Sequence, residues 1–143
     1  MSAAYDDQNI FAKILRGELP CVKLYEDEAN FAFMDIMPRG AGHLLVIPKA
    51  PARNILDISA ESLSAMMPAV KKLAIAAKAG LAADGVSVRQ FSEPASGQVV
   101  YHLHFHVIPH FDGVELRPPA GPIAPIAELE AVAAKIRAAL ANS

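Results

Sequence analysis

The chain has 143 residues, of which 53% are hydrophobic and 20% are charged, and its formal net charge is −2. This composition suits one packed domain and is unlike that of a disordered chain. The small negative charge argues against a protein that binds the nucleic-acid backbone, which requires a basic surface, although a few local donors can still hold one phosphate.

Cysteine usage and the N-terminus point to a compartment. Cys21 is the only cysteine, so no disulfide can form within the chain, and a lone cysteine is typical of a reducing environment. The first seven residues lack the basic and apolar regions of a signal peptide, and no apolar run is long enough to span a membrane. The sequence therefore predicts a cytoplasmic protein with neither a membrane nor a nucleic acid as partner.

The first half of the chain predicts a helix, a hairpin and a central strand. Apolar residues at helical spacing predict a short helix over 8–17, which stops at Gly17. Alternation of apolar and polar residues predicts two strands, 22–26 and 31–36, joined by a turn. Residues 43–48 are almost wholly apolar, which is typical of a strand that is covered on both faces.

The second half adds one long helix, two strands and a last helix. In order, it predicts a main amphipathic helix at 59–83, a strand at 86–91, a strand at 99–109, an irregular connection at 111–124 and a helix that starts at Pro125. Strands and helices in this order, with short connections, predict an α+β fold with a mostly antiparallel sheet.

Four of the five histidines lie between residues 99 and 110. His102, His104 and His106 alternate with apolar residues, and successive strand side chains point to opposite faces. The spacing therefore predicts one row of three imidazoles on a strand, with the intervening apolar side chains in the core.

Three interpretations of this row are open. It could ligate a metal, with further ligands from His43 and His110; it could supply a nucleophile; or it could be a set of surface histidines. No Asp or Glu lies between Glu93 and Asp112, whereas Gly97-Gln98 precedes the row. A glycine that admits a ligand close to the backbone, next to an amide donor, favours a phosphate site over a metal.

The stretch His102-Leu103-His104-Phe105-His106-Val107-Ile108 resembles the signature of the histidine triad (HIT) family. The similarity extends to other segments in the family's order. These are Asn9–Ile14, Gly17–Pro20, Tyr25–Asp27, Phe33–Ile36, Gly42–Lys49 and Gly97-Gln98. The resemblance covers about residues 9–111.

The resemblance implies a fold and an assembly. It implies a HIT-like five-stranded antiparallel sheet with a main helix and a C-terminal helix. It also implies a homodimer in which two sheets join into one of ten strands. The whole chain, 1–143, would form one domain with its core at about 9–111, and residues 112–143 would form the irregular connection and the C-terminal helix.

The resemblance also implies a reaction. HIT proteins bind purine nucleotides and hydrolyse a bond to the α-phosphate of a phosphoramidate, a nucleotidyl-lysine or a dinucleoside polyphosphate. His104 would be the nucleophile that forms a nucleotidyl-histidine intermediate. His106 would contact the phosphate or the leaving group, His102 would shape the site by hydrogen bonding, and His43 would support this network.

Further residues would bind the nucleotide. Asp35 would accept hydrogen bonds from the ribose hydroxyls, Phe33 and Ile36 would line the base pocket, and Gly97 and Gln98 would hold the α-phosphate.

Some positions depart from the family pattern. Asn9 and Ala12 stand where many relatives have a Cys-x-x-Cys zinc motif, and Ala50-Pro51 stands where a further histidine is often found, so we expect no metal and no cofactor. Phe91 and Ser92 stand near the position of a usual asparagine, so Ser92 would make that contact. Val99 stands where some phosphoramidases have a serine that assists the leaving group.

These departures keep an alternative function open. With the asparagine and the serine changed, the chain could be a nucleotide-binding interaction protein with little catalysis. A metalloprotein that uses His102, His104 and His106 is the remaining alternative.

Overall fold

The computed structural model describes residues 4–142, which form three α-helices around a five-stranded sheet. In chain order the elements are α1 (Ile10–Leu15), β1 (Lys23–Glu26), β2 (Asn30–Met34), β3 (Leu44–Pro48), α2 (Ala60–Gly80), β4 (Gly85–Arg89), β5 (Phe105–His110) and α3 (Ile126–Ala141). The α+β fold predicted from the sequence is confirmed. Within the described residues, no helix is both long and apolar enough to cross a membrane.

The strands lie in the order β1-β2-β3-β5-β4, and every neighbouring pair is antiparallel. β3 is central, and all five of its residues are buried. This placement confirms the expectation from its continuous apolar run, since a strand covered on both faces has no position that favours a polar residue.

Each face of the sheet packs against different helices. One face forms the main core with α2 and α3, through residues such as Met34, Val46 and Val107. The other face carries a smaller apolar cluster beneath α1, which consists of Phe11, Phe31, Phe33, Leu45 and Ile47. Directly paired residues of an antiparallel sheet point to the same side, and His106 pairs with Leu45. His106 therefore lies on the α1 side of the sheet.

Local signals explain where the helices begin and end. The Asn9 side chain accepts a hydrogen bond from the Ala12 amide at 2.9 Å and caps α1, which ends shortly before Gly17 at φ +77°. Ser59 caps α2 in the same way, by accepting from the Ser62 amide.

The predicted histidine strand is wrong at its start. The sequence predicts a strand over 99–109, but β5 begins at Phe105, so His102 and His104 lie in the connection that precedes it. Of the three triad histidines, only His106 is a strand residue.

The end of β3 explains why β5 starts late. The β3–β5 ladder reaches only as far as the Val46–Phe105 pair. Pro48, the last residue of β3, has no amide proton, and its carbonyl lies 2.8 Å from Nε2 of the His102 ring. A side chain therefore occupies the acceptor that a backbone ladder would use, and the chain at His102 leaves the sheet.

Candidate functional site

Three imidazoles, those of His43, His104 and His106, meet on the α1 side of the sheet. The ring centroid of His106 lies 5.1 Å from that of His43 and 5.0 Å from that of His104. His102 joins the group through its backbone carbonyl, 2.7 Å from the His104 ring. The structure thus brings together all four histidines that the resemblance assigns to the site, although they come from three different segments.

One ring nitrogen of His104, Nδ1, is hydrogen-bonded to the backbone, and the other, Nε2, is left with a lone pair. Its Nδ1 lies 2.7 Å from the carbonyl oxygen of His102, which can only accept, so Nδ1 carries the proton. The lone pair of the neutral ring is then on Nε2. Burial lowers the pKa of His104 to about 4, and the side chain is 8% exposed. At neutral pH the ring is therefore uncharged and nucleophilic, with its orientation fixed by the backbone.

A backbone amide sets the protons of His43 and His106. The Arg39 N–H donates to Nδ1 of His43 at 3.0 Å, so the neutral His43 ring carries its proton on Nε2. That Nε2 lies 2.9 Å from Nδ1 of His106 and donates to it. His106 consequently carries its own proton on Nε2, where it can donate a hydrogen bond to a ligand.

The pKa values of these two rings are strongly lowered. Burial, followed by the nearby guanidinium groups of Arg39 and Arg89, lowers the pKa of His43 to about 4. Burial and the neighbouring imidazoles, with the same two arginines, lower that of His106 to about 3. Neutral rings beside two guanidinium groups form a site that suits an anion such as a phosphate.

Asp35 lies beside His43 just after β2. One of its carboxylate oxygens accepts from the Met37 amide at 2.8 Å, and the other lies 3.4 Å from Nε2 of His43. Burial raises the pKa of Asp35 to about 6, while that of His43 is lowered, so the two do not form an ion pair at neutral pH. Ile36 is 42% exposed, as a residue that contacts a ligand must be.

Phe33 has no open surface in this structure. It is 3% exposed and lies beneath Phe11, whose ring centroid is 5.3 Å away. Phe11 in turn packs edge-on against His104, at 5.0 Å between the ring centroids. Phe33 therefore supports the site through Phe11. The resemblance implied that Phe33 lines the base pocket, but its side chain is covered in this structure.

Gln98 is a structural residue here, and its expected role as a side-chain phosphate donor is not supported. Its Nε2 donates to the carbonyls of Arg53 and Val100 at 2.7 and 3.0 Å. Its Oε1 accepts from Asn54 Nδ2 and from the Glu93 amide at 3.1 and 2.8 Å. All donors and acceptors of the amide are used within the chain, so none is left for a phosphate.

An ion pair closes the same loop. Arg53 donates two hydrogen bonds to the Glu93 carboxylate, at 2.8 and 2.9 Å, and Asn54 donates a third at 2.6 Å. These bonds lower the pKa of Glu93 to about 2. Glu93 has φ +73°, a conformation that costs a non-glycine residue about 1–3 kcal/mol and persists only where the surroundings impose it.

The same loop exposes a glycine and one large apolar side chain to solvent. Gly97 is exposed at φ +110°, which any larger residue would adopt only with strain. Val99 is 80% exposed. The Ser92 hydroxyl lies 2.9 Å from Gln90 Nε2, within its own loop. Phe91, one of the two residues near the position of the asparagine that the resemblance implied, packs edge-on against His106 with 5.6 Å between the ring centroids.

His110 is apart from the triad network. Its Nε2 lies 2.8 Å from the hydroxyl of Ser87 on β4. Although it lies on the same strand as His106, none of its described contacts is with the other histidines.

A metal fits this site less well than an anion does. Asp35, His43 and His106 bring possible ligand atoms within 4.8 Å of one another. However, the two nitrogens are already joined by a hydrogen bond, and Arg39 and Arg89 oppose a cation.

The positions of the family's zinc motif do not fit zinc either. Asn9 uses its side chain to cap α1, and Ala12 is a buried methyl group, so neither offers a thiolate.

The sequence did not predict several residues that hold the site. These are Tyr5 against His102, the Arg39 amide on His43, and Arg53, Asn54 and Glu93 around Gln98. Arg53 and Glu93 are 40 residues apart and Tyr5 and His102 are 97 apart, so no local pattern announces these pairs.

Known proteins resemble this chain in both sequence and structure. The HIT domain family model matches residues 16–113. The adenosine 5'-monophosphoramidase of Schizosaccharomyces pombe is 40% identical over 119 residues, which cover 81% of this chain and 86% of the relative. The adenosine 5'-monophosphoramidase of Saccharomyces cerevisiae is 41% identical over 110 residues, which cover 77% of this chain and 67% of the relative.

Solved structures agree with the sequence matches. A HIT-like protein from Bartonella henselae is 54% identical, with a TM-score of 0.89 over 95% of this chain and 99% of that one. A zinc-bound histidine triad family protein from Mycobacterium smegmatis is 33% identical, with a TM-score of 0.81 over 94% of both chains.

Proposed function

The chain belongs to the histidine triad (HIT) family, and we propose that it hydrolyses a bond to the α-phosphate of a purine nucleotide conjugate through a nucleotidyl-His104 intermediate. The observation that carries the proposal is the hydrogen bond from His104 Nδ1 to the His102 carbonyl. It leaves the Nε2 lone pair as the one group of the ring that is able to react. Substrates would be adenosine phosphoramidates, nucleotidyl-lysine or dinucleoside polyphosphates.

The reaction proceeds in two displacements. In the first, the lone pair of His104 Nε2 forms a bond to phosphorus, while the bond from phosphorus to the leaving group breaks. The leaving group departs with a proton from solvent, while His106 stays neutral and donates a hydrogen bond from Nε2 to the departing atom, because His43 occupies the other nitrogen. In the second, water attacks phosphorus and releases a proton to solvent, and the P–N bond to His104 breaks.

The charges around the site support this sequence. The positive charge that His104 gains during attack is stabilised by the His102 carbonyl oxygen, which accepts a hydrogen bond from Nδ1–H. Arg39 and Arg89 are close enough to lower the pKa of His106, and the same field stabilises the phosphoryl oxygens.

A direct test is to trap the intermediate. Wild-type protein is mixed with adenosine 5'-phosphoramidate, quenched in denaturant at high pH, and measured by intact-protein mass spectrometry. We expect AMP in solution and a protein species heavier by one adenylyl group. His104→Ala should give neither, whereas His110→Ala, a change of the same kind outside the network, should give both. Turnover by His104→Ala would contradict the mechanism.

A nucleotide-binding protein with little catalysis is the second candidate, and Phe91 is the observation that favours it. Phe91 places an apolar ring against His106 where relatives have a polar side chain. Calorimetric binding of AMP by wild-type protein, without release of product from the phosphoramidate, would support this candidate over the hydrolase.

We extend the proposal to a homodimer joined along β4. Of the two edges of the sheet, β1 is covered because Arg137 donates to the carbonyl of Lys23 at 2.9 and 2.6 Å. β4 is the other edge, and it carries Val88 with 47% of its surface exposed. An open strand edge with an apolar side chain is suited to pair with the same strand of a second copy.

A further inference from the structure

A hydrogen-bond chain from the N-terminal segment reaches the site from behind His102. The Tyr5 hydroxyl lies 2.6 Å from Nδ1 of His102, and Asn9 Nδ2 donates to that hydroxyl at 3.1 Å. On the other side of the ring, His102 Nε2 lies 2.8 Å from the carbonyl oxygen of Pro48. Both ring nitrogens of His102 are therefore engaged.

The direction of every proton in this chain follows from its ends. The Pro48 carbonyl can only accept, so His102 carries its proton on Nε2 and presents a lone pair at Nδ1. The Tyr5 hydroxyl donates to that lone pair, and its oxygen accepts from Asn9. Burial raises the pKa of Tyr5 and lowers that of His102, so both groups are neutral at pH 7.

His102 matters because its backbone carbonyl is the partner of His104. This carbonyl lies outside the sheet, since β5 begins only at Phe105. No ladder bond of β5 holds it. Next to it, the Leu103 amide donates to the Ala52 carbonyl, and the His102 ring is held at its two nitrogens. The Leu103 amide belongs to the same planar peptide unit as this carbonyl, so the Leu103–Ala52 hydrogen bond and the anchor of the His102 ring together set the orientation of the carbonyl.

We propose that Tyr5 is a positioning residue for His104: by anchoring the His102 ring, it holds the His102 carbonyl where it receives the Nδ1 proton of His104. This inference rests on the proposed function, in which His104 is the nucleophile. Tyr5 does not itself touch the reacting atoms.

The first turn of α1 ties this anchor to the rest of the site. Asn9 uses Oδ1 to cap α1 and Nδ2 to donate to Tyr5, so one side chain fixes the helix start and the hydroxyl together. Two residues later, Phe11 packs edge-on against His104. One short segment thus contacts His102 through Tyr5 and His104 through Phe11.

Tyr5→Phe removes the hydroxyl and keeps the ring that packs edge-on against His102 at 5.7 Å. We expect kcat for adenosine 5'-phosphoramidate to fall about three- to tenfold with KM changed less than about twofold, because orientation and not substrate contact is lost. Nitrogen-15 NMR should show His102 Nδ1 shifted downfield, as it no longer accepts a hydrogen bond. The His104 Nδ1 proton should exchange faster with water.

Asn9→Asp is the second variant. Aspartate keeps an oxygen that can cap α1, but it accepts the Tyr5 proton and so draws it away from His102. We expect the same direction of change in kcat and in both NMR signals without loss of the tyrosine. If Tyr5→Phe folds poorly, this variant still tests whether the Tyr5 hydrogen bond to His102 positions His104.

Tyr25→Phe is the matched control. Its hydroxyl donates to Asp27 at 2.7 Å, and its ring packs with the core on the opposite face of the sheet. It should leave kcat and both NMR signals as in the wild type. Wild-type kcat together with unchanged His102 and His104 signals in both Tyr5→Phe and Asn9→Asp would overturn the proposal. If wild-type protein releases no AMP, the proposed function fails, and the NMR signals still decide whether Tyr5 positions His104.

Discussion

The Nδ1 atom of His104 lies 2.7 Å from the carbonyl oxygen of His102, two residues earlier in the same chain. This one contact chooses the tautomer of His104 and aims its lone pair. A parallel contact, from the Arg39 amide to His43, chooses the tautomers of His43 and His106 in turn. Backbone groups therefore fix which nitrogen of each of these rings carries the proton.

Replacement of His106 should affect substrates unequally. His106→Gln removes the Nε2–H group that donates a hydrogen bond to the leaving group, so an amine leaving group should suffer about a 10²–10³-fold loss of kcat. A p-nitrophenyl ester of AMP, whose leaving group needs no proton, should lose about tenfold or less. Steady-state kinetics on both substrates checks this, with His110→Gln as the control. Equal losses on the two substrates would argue against a hydrogen bond from His106 to the leaving group.

Activity should persist into unusually acidic solution. The nucleophile must be neutral, and burial lowers the pKa of His104 to about 4 from 6.5. The acid limb of kcat/KM should therefore lie near pH 4 to 5, not near 6.5. A pH–rate profile over the range in which the protein stays folded gives the answer, and a limb centred at 6.5 would contradict a buried neutral His104.

Stability should fall in the same acidic range. His43, His104 and His106 have folded-state pKa values below their unfolded value of 6.5, so the unfolded state binds more protons and the free energy of unfolding decreases as the pH drops from about 6.5 toward 4. Asp35 opposes this between pH 3.8 and about 6, because its pKa is raised in the folded state.

Urea denaturation at pH 7 and pH 5 measures the difference. Asp35→Asn keeps an oxygen for the Met37 amide and removes the opposing proton, so its loss of stability on acidification should be steeper than that of wild type. Equal or greater stability at pH 5 in the wild type would mean that the histidines are not buried in their neutral form.

Loss of Gln98 should loosen the loop that carries Gly97. Gln98→Ala leaves the Glu93 amide and one of the two Nδ2 protons of Asn54 without an acceptor, and two carbonyls without their donor, which should cost about 2–3 kcal/mol of stability. AMP binding should weaken as well, as measured by calorimetry. Gln8→Ala, at an exposed site, should change neither. Unchanged stability in Gln98→Ala would show that the network is not needed.

The dimer can be tested at the edge of the sheet. Val88→Lys places like charges where two β4 strands would meet, so light scattering should show the mass falling from about twice 15.2 kDa toward one protomer. Leu56→Lys, at a side chain that is 72% exposed in a loop, should keep the wild-type mass. A wild-type protein that is already monomeric would remove the basis for the β4 interface.

Much of the fold follows from local patterns. The first four strands, the main helix capped by Ser59 and the last helix after Pro125 lie within a few residues of where the sequence predicts them, whereas β5 starts later than predicted. Periodicity and capping are properties of neighbouring residues, so one sequence is enough to reveal them.

The sequence by itself determined which residue types are available. These are three alternating histidines and a glycine before them, with no Asp or Glu between Glu93 and Asp112. The tertiary structure alone decided how they divide the work. In the folded chain the β3–β5 ladder ends before His104, and the His102 ring bonds to the Pro48 carbonyl. The Gln98 side chain bonds within its own loop, and the Tyr5 hydroxyl bonds to His102. The reason is that tautomers and charges depend on hydrogen bonds between segments up to 97 residues apart, and only the folded chain brings those segments together.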